Sequence, residues 1–336
     1  MPAIPGASMA SLTEDQLISR YFAPLATDNG ARGLTDDAAT LSVPEGQHLV
    51  VTTDALVAGV HFLPDDPPDL IARKSLRVNL SDLAAKGATP HAYTLCLALP
   101  EGWREEWLAR FAEGLRQDGG EFGFALLGGD TVKTPGPLTI AVNAFGLTPT
   151  DRIPRRDGAR PGDSLYVSGT IGDGALGLLT RTGQGGLTDL AAEDRDYLIR
   201  RYLLPQPRTG LAAAVLTHAS ASMDISDGFV GDLSKLLRAS KVSADVELEA
   251  VPLSEAARHA CALDAAHFER ALTGGDDYEI LCAVPLGEGS AFEGMARALG
   301  VTVTRVGTVT SGSEPPRFLE GDGRERKFGR GSFSHF

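Results

Sequence analysis

Thr52-Thr53-Asp54-Ala55-Leu56-Val57-Ala58-Gly59-Val60-His61-Phe62 follows the apolar run Leu49-Val50-Val51. A short apolar run bounded by polar residues predicts a buried strand, here ending in two hydroxyls and a carboxylate. Hard oxygen ligands at a strand end suit a cation such as Mg2+, which takes a few carboxylates and hydroxyls together with water and substrate phosphates. In isolation, an ordinary polar turn has the same appearance. Recurrence of the pattern along the chain separates the two.

Upstream, Thr35-Asp36-Asp37 sets two carboxylates side by side, and adjacent like charges repel unless solvated or metal-bound. Thr13-x-x-Gln16 has the form of a capping box that opens a helix with Leu17, Ile18, Tyr21 and Phe22 on its buried face. Residues 1–10 read as a flexible tail.

Downstream, the spacing of Leu76, Leu80, Leu83 and Ala84 predicts a helix over 70–86 with Gly87 as its C-terminal cap. It carries Asn79 and Asp82. Asp is a poor helix-interior residue, so Asp82 serves either a site or an i,i+4 pair with Lys86. A strand over 93–99 follows, then an amphipathic helix with Trp103, Trp107, Leu108, Phe111 and Leu115 on one face, ending at Gly119-Gly120. The run 124–127 ends in Gly128-Gly129-Asp130-Thr131, repeating the strand-end carboxylate, and a strand over 138–145 closes the first half.

Residues 149–163 are rich in Pro, Arg and Asp and mark a domain boundary. Arg152, Arg155, Arg156 and Arg160 there form a solvated hinge or reach a polyphosphate by bidentate bonding. After a strand over 164–168, the glycines of 169–174 miss the G-x-G-x-x-G register of a dinucleotide loop. Residues 180–193 read as a mobile loop and 210–218 as a helix. Met223-Asp224-Ile225-Ser226-Asp227-Gly228 precedes a helix marked by Phe229, Leu233, Leu236 and Leu237. Acids at a helix start are favoured by the macrodipole, yet this spacing also gathers two carboxylates and a hydroxyl in one turn. Gly274-Gly275-Asp276-Asp277-Tyr278-Glu279 enters a strand over 280–284, and another strand is expected over 301–309.

A chain of 336 residues suggests two domains. Its formal net charge of -13 argues against non-specific binding to nucleic acid or anionic lipid. Bound Mg2+ can still turn acidic clusters into phosphate sites. No stretch approaches the ~18 to 20 apolar residues of a membrane span, and residues 1–10 lack a signal peptide's basic start and apolar core. The expectation is a cytoplasmic protein. Cys96, Cys261 and Cys282 sit in apolar company without C-x-x-C spacing and read as reduced core residues.

Taken in order, Thr52-Thr53-Asp54-x6-His61-Phe62, the Asn79–Ala88 motif around Ser81-Asp82, Gly128-Gly129-Asp130-Thr131, Arg156-x-Gly158-Ala159-x-Pro161-Gly162-Asp163, Asp224-Ile225-Ser226-Asp227-Gly228 and Gly274–Glu279 resemble the thiamine-monophosphate kinases. These belong to the ATP-binding superfamily of aminoimidazole ribonucleotide synthetase. The likeness runs from about Leu17 to His335-Phe336. It implies an α/β N-terminal domain, residues 11–148, that makes a homodimer through its sheet, and an α+β C-terminal domain, residues 149–336. It also implies direct transfer of the ATP γ-phosphoryl group to thiamine phosphate. By matching position, Asp37, Thr52, Thr53, Asp54, Asp82, Asp130, Asp224 and Asp227 would hold Mg2+. Gly129, Asp130, Arg156 and Ser226 would contact ATP; His61 and Asp276 would contact thiamine phosphate, with Phe328 as the candidate aromatic against it.

No general base is assigned, because the acceptor phosphate is already ionised and the task is to screen and align two polyanions. Thr35 and Asp276 depart from the glycine and glutamate common in the family. Selenophosphate synthetase, with its N-terminal Cys or selenocysteine, and the hydrogenase-maturation relative, with its Cys-containing tail, fit less well. A non-catalytic Mg-nucleotide or thiamine-phosphate binding module is the rival from another class.

Overall fold

The computed structural model describes residues 13–149 and 152–329. The expected tail over 1–10 and the terminal His335-Phe336 lie outside them. Thr13 caps α1 (Glu14–Leu17): its hydroxyl accepts the Gln16 N–H, and the Gln16 side chain accepts the Thr13 N–H, forming the expected capping box. Then come β1 (Gln47–Val57), α2 (Pro68–Ala85), β2 (Thr89–Pro100), α3 (Glu105–Phe122), β3 (Ala125–Thr134) and β4 (Thr139–Pro149).

The four strands form a sheet in the order β1-β4-β2-β3, with β2 and β3 parallel and the other pairs antiparallel. α2 and α3 cover one face. Their Leu76, Leu80, Leu83, Leu108 and Phe111 share a core with Leu56, Leu95, Ile140 and Val142 of the strands. Trp103 precedes α3, and it and Trp107 pack at the margin of this core.

Both strand ends expected from sequence are strand interiors. The β1–β4 ladder continues through Asp54, opposite Val142, and the β2–β3 ladder through Asp130, opposite Cys96. Backbone pairing, not side-chain polarity, sets where these strands stop. Alternation then turns Thr52, Asp54 and Leu56 toward α2 and Val51, Thr53 and Ala55 to the other face. The run 49–51 is accordingly not buried: Val51 is 58% exposed. α3 likewise passes through Gly119 and Gly120 and stops at left-handed Gly123. Cys96 is exposed and Cys261 half-buried, contrary to the core placement expected; only Cys282 is buried.

The second half contains β5 (Ser164–Ser168), α4 (Asp173–Arg181), α5 (Ala192–Leu203), α6 (Ala212–His218), β6 (Ala221–Ile225), α7 (Phe229–Ser240), β7 (Ser243–Glu247), α8 (Glu255–Leu263) and α9 (Ala266–Thr273). β8 (Glu279–Val284), α10 (Gly289–Ala298), β9 (Val303–Thr310), β10 (Arg317–Leu319) and β11 (Glu325–Arg326) complete it. The sheet order is β11-β10-β7-β9-β5-β8-β6. Residues 180–193 are not an open loop: Leu187 and Leu190 are buried with Leu176 and Leu198, which ties the segment down between α4 and α5.

The halves are joined at α2. Ala84 and Ala85 pack against Val215 and Ile280, and the Lys86 Nζ donates to the Ser222 carbonyl at 2.6 Å. Lys86 therefore makes an interdomain bond and not the i,i+4 bond to Asp82. No helix among the described residues is long and apolar enough to cross a membrane.

Candidate active site

Acids from both halves face one another at the junction. β1 supplies Thr52 and Asp54 from its inner face, and the Thr52 hydroxyl donates to Asp82 Oδ2 of α2 at 2.5 Å. β6 contributes buried Asp224, and the turn before α7 contributes Asp227. Burial first, then the charges of Asp82 and Asp227, push the Asp54 carboxyl up to about 6. Burial, then Asp82 and Asp232, hold Asp224 well above the ordinary carboxylate range. Each proton affinity is raised because ionised neighbours in a poorly hydrated site disfavour another negative charge.

Compensation within the chain is partial. Lys235 Nζ donates to Asp227 Oδ2 at 2.5 Å and to Asp232 Oδ1 at 2.8 Å. Asp232 in turn accepts the N–H groups of Ser226 at 3.0 Å and Asp227 at 2.9 Å, fixing that turn. Lys86, from the interdomain bond above, is held below its usual range by burial and by Arg156. Arg156 thus approaches this junction, whereas Arg155 is taken up by Asp157 at 2.6 Å.

Among the described residues, no group of three or more His, Cys, Asp and Glu side chains is gathered closely enough to hold a metal alone. The donor set still suits Mg2+, which keeps waters and uses substrate phosphates alongside one or two carboxylates. Burial and like charge raise the proton affinity of Asp54 and Asp224, a penalty that a bound cation would relieve.

The remaining expected ligands lie elsewhere within the chain. Thr53 points to the opposite face of β1 from Asp54. Asp130 is on β3, at the far edge of the sheet from β1, three strand spacings or about 14 Å away. There Asp130, Gly129 and Asp37 line a cavity of about 390 Å³ with Asp36 and Thr131. Gly129 is required by this packing: a Cβ would stand 1.9 Å from the Leu95 carbonyl oxygen. One chain therefore places the single set expected in two separate locations.

His61 closes the turn after β1, its Nδ1 accepting the Val57 N–H at 3.0 Å. The loop before β8 crosses from the Asp227 turn: the Asp276 N–H bonds the Ser226 carbonyl at 2.9 Å, and the Tyr278 N–H bonds the Ile225 carbonyl at 2.8 Å. Asp276 and Tyr278 have φ of 74° and 53°. Such left-handed backbone at non-glycine residues persists only where surroundings over-determine it. Asp277 supplies that constraint, accepting the Gly172 and Gly174 N–H groups at 2.7 and 3.1 Å. Arg201, Arg208 and Ser168 hold Glu279. Phe328 packs edge-on against Phe318, at 5.0 Å between centroids, in the second-half core.

Sequence reasoning missed Lys74, Lys235 and Asp232. Lys235 and Asp232 at i,i+3 offered a local signal; Lys74 offered none, because its partner is remote in the chain.

The family described as AIR synthase related protein matches through its N-terminal domain at residues 35–148 and its C-terminal domain at residues 160–317. The thiamine-monophosphate kinase of Caulobacter vibrioides is 44% identical over 313 residues, 92% of this chain and 87% of that protein. Among solved structures, the thiamine-monophosphate kinase from Stenotrophomonas maltophilia K279a has a TM-score of 0.80 at 36% identity, covering 93% of this chain and 96% of that one. AaThiL complexed with AMPPCP and TMP has a TM-score of 0.76 at 32% identity, covering 90% of this chain and 91% of that one.

Proposed function

The chain belongs to the AIR synthase related family and, within it, to the thiamine-monophosphate kinases, and from that premise we propose direct, in-line, Mg2+-dependent transfer of the ATP γ-phosphoryl group to thiamine phosphate, giving thiamine diphosphate and ADP. The observation that carries the metal-dependent part is the incompletely balanced junction of Asp54, Asp82, Asp224 and Asp227. These residues with Thr52 would hold Mg2+, whose charge would screen the repulsion between donor and acceptor phosphates. Arg156 would meet the polyphosphate from the hinge, and Ser226, held by Asp232, would meet ATP. His61 and Asp276 would contact thiamine phosphate. The chain's work is alignment and charge balance; a base would add nothing to an acceptor oxygen that is already ionised.

A homodimer through the outer face of the four-stranded sheet is part of this proposal, with the chain divided at 148/149. Val51 at 58% and Val132 at 47% exposure on that sheet support it, since exposed apolar positions on one face favour pairing. Closing two such sheets against each other about a twofold axis can bring β3 of one protomer to β1 of its partner. Gly129, Asp130 and Asp37 would then approach β1 of the partner, with its Thr53 on the shared face and its Asp54 across the strand.

ATP and thiamine phosphate should yield ADP and thiamine diphosphate in equal amounts, with loss of both products on removing Mg2+ and in Asp130→Asn. Binding of both ligands without product would move the chain to the binding-module reading. For the shared site, Asp54→Asn and Asp130→Asn proteins are each expected to be nearly inactive. Unfolded and refolded together, they should regain about a quarter of wild-type activity, because half of random dimers are mixed and each carries one intact site. No recovery on mixing would place each site within one chain.

A further inference from the structure

The acceptor-side loop is anchored from the other half of the molecule. Lys74 of α2 has a side chain only 3% exposed, yet its Nζ donates to Asp276 Oδ2 at 3.1 Å. The same ammonium lies 4.0 Å from the centroid of the Tyr202 ring of α5. A buried ammonium needs an anionic partner and further compensation; Asp276 supplies the first and the aromatic face the second.

Asp66 faces it as well, with Arg181 and Asp65 extending the cluster. Asp66 is buried, accepts the Leu63 N–H at 2.8 Å and Arg181 Nε at 3.2 Å, and feels the charges of both Arg181 and Lys74. Asp65 holds the other side of Arg181 at 2.9 Å. The loop bearing Asp65 and Asp66 directly follows His61-Phe62. One interdomain charge cluster thus restrains both segments expected to touch the acceptor.

Asp276 itself has left-handed backbone, and its side chain is 22% exposed. An aspartate has fewer rotatable bonds than the glutamate common there, so small changes in its orientation displace the carboxylate directly. We propose that Lys74 is a positioning residue that sets acceptor affinity by orienting Asp276 across the domain junction. This inference rests on the reading of Asp276 as a thiamine-phosphate contact.

The test is a double-mutant cycle with Lys74→Met, Asp276→Asn and the pair, read by calorimetric titration of thiamine phosphate in the presence of Mg2+ and AMPPCP, and by steady-state kinetics. Lys74→Met should raise the KM for thiamine phosphate about tenfold while the KM for ATP moves less than about twofold, and the double variant should bind no worse than Asp276→Asn alone. Lys74→Gln replaces Lys74→Met if the latter does not fold. Equal rises in both KM values, or losses that simply add in the double variant, overturn the positioning role. Urea unfolding of the same proteins reads the Lys74–Asp276 coupling without any acceptor. If wild-type protein neither binds nor phosphorylates thiamine phosphate, the acceptor assignment fails; a coupling seen in unfolding alone then shows a structural pair and overturns the positioning role.

Discussion

Asp54→Asn is expected to reduce turnover by about a thousandfold and, in metal-free protein at pH 7, to raise the thermal unfolding midpoint. The two effects share one cause. The Asp54 carboxyl titrates at about 6 in the folded chain against an ordinary value of 3.8. The folded state therefore binds this proton more tightly than the unfolded state does. Stability from this group is complete below about pH 4 and is lost as pH rises through about 6. At neutral pH the ionised carboxylate costs the metal-free fold on the order of 1–2 kcal/mol, reduced from the full shift because the group is only half-buried. Asparagine has nearly the same shape and removes that cost along with the charge a cation needs. Calorimetry in chelator should show the variant ahead at pH 7 and level with wild type near pH 4, and excess Mg2+ should reverse the order at pH 7. A metal-free variant less stable than wild type at pH 7 would contradict the repulsive junction.

Arg77→Met should cost about 3 kcal/mol of unfolding free energy. The Arg77 side chain is 2% exposed and forms a bidentate pair with Asp118, which is fully buried, at 2.6 and 3.0 Å. Its Nη1 donates to the Pro205 carbonyl at 3.0 Å, so the same guanidinium joins the two halves. Truncation removes both Arg77 hydrogen bonds from a buried carboxylate and leaves an interdomain carbonyl without its donor. Arg73 still reaches Asp118 at 2.7 Å, which keeps the loss toward the lower end for a broken buried pair. Replacing Asp118 with Leu in the same protein should recover much of it, since an apolar pair avoids the desolvation penalty. Urea unfolding of the single and double variants checks both statements. A single variant within about 0.5 kcal/mol of wild type, or a double variant less stable than the single, would refute the account.

Local chemistry made much of the architecture legible. The Thr13–Gln16 capping box and α2 with its stop at Gly87 follow from hydrogen bonds and apolar spacing within a few turns of chain. The motifs around Asp54, Asp82, Asp130 and Asp224 identified the family, because those residue types and their order persist whatever the fold does between them. Strand limits were less legible: polar Thr52–Asp54 and Gly128–Asp130 resemble ends, but ladder partners contributed by β4 and β2 extend both strands through them.

Residue type and order along the chain show which groups are available for phosphate chemistry; packing between distant segments settles which of them meet. Strand alternation separated Thr53 from Asp54, and the β1-β4-β2-β3 order carried Asp130 to the opposite sheet edge. Lys86 left its i,i+4 neighbour for Ser222, and Lys74 found Asp276 some two hundred positions away, because a charge pairs with what the packed chain brings within a few ångströms. Strand order and interdomain packing are set by non-local burial and backbone pairing, and no spacing along the chain records them.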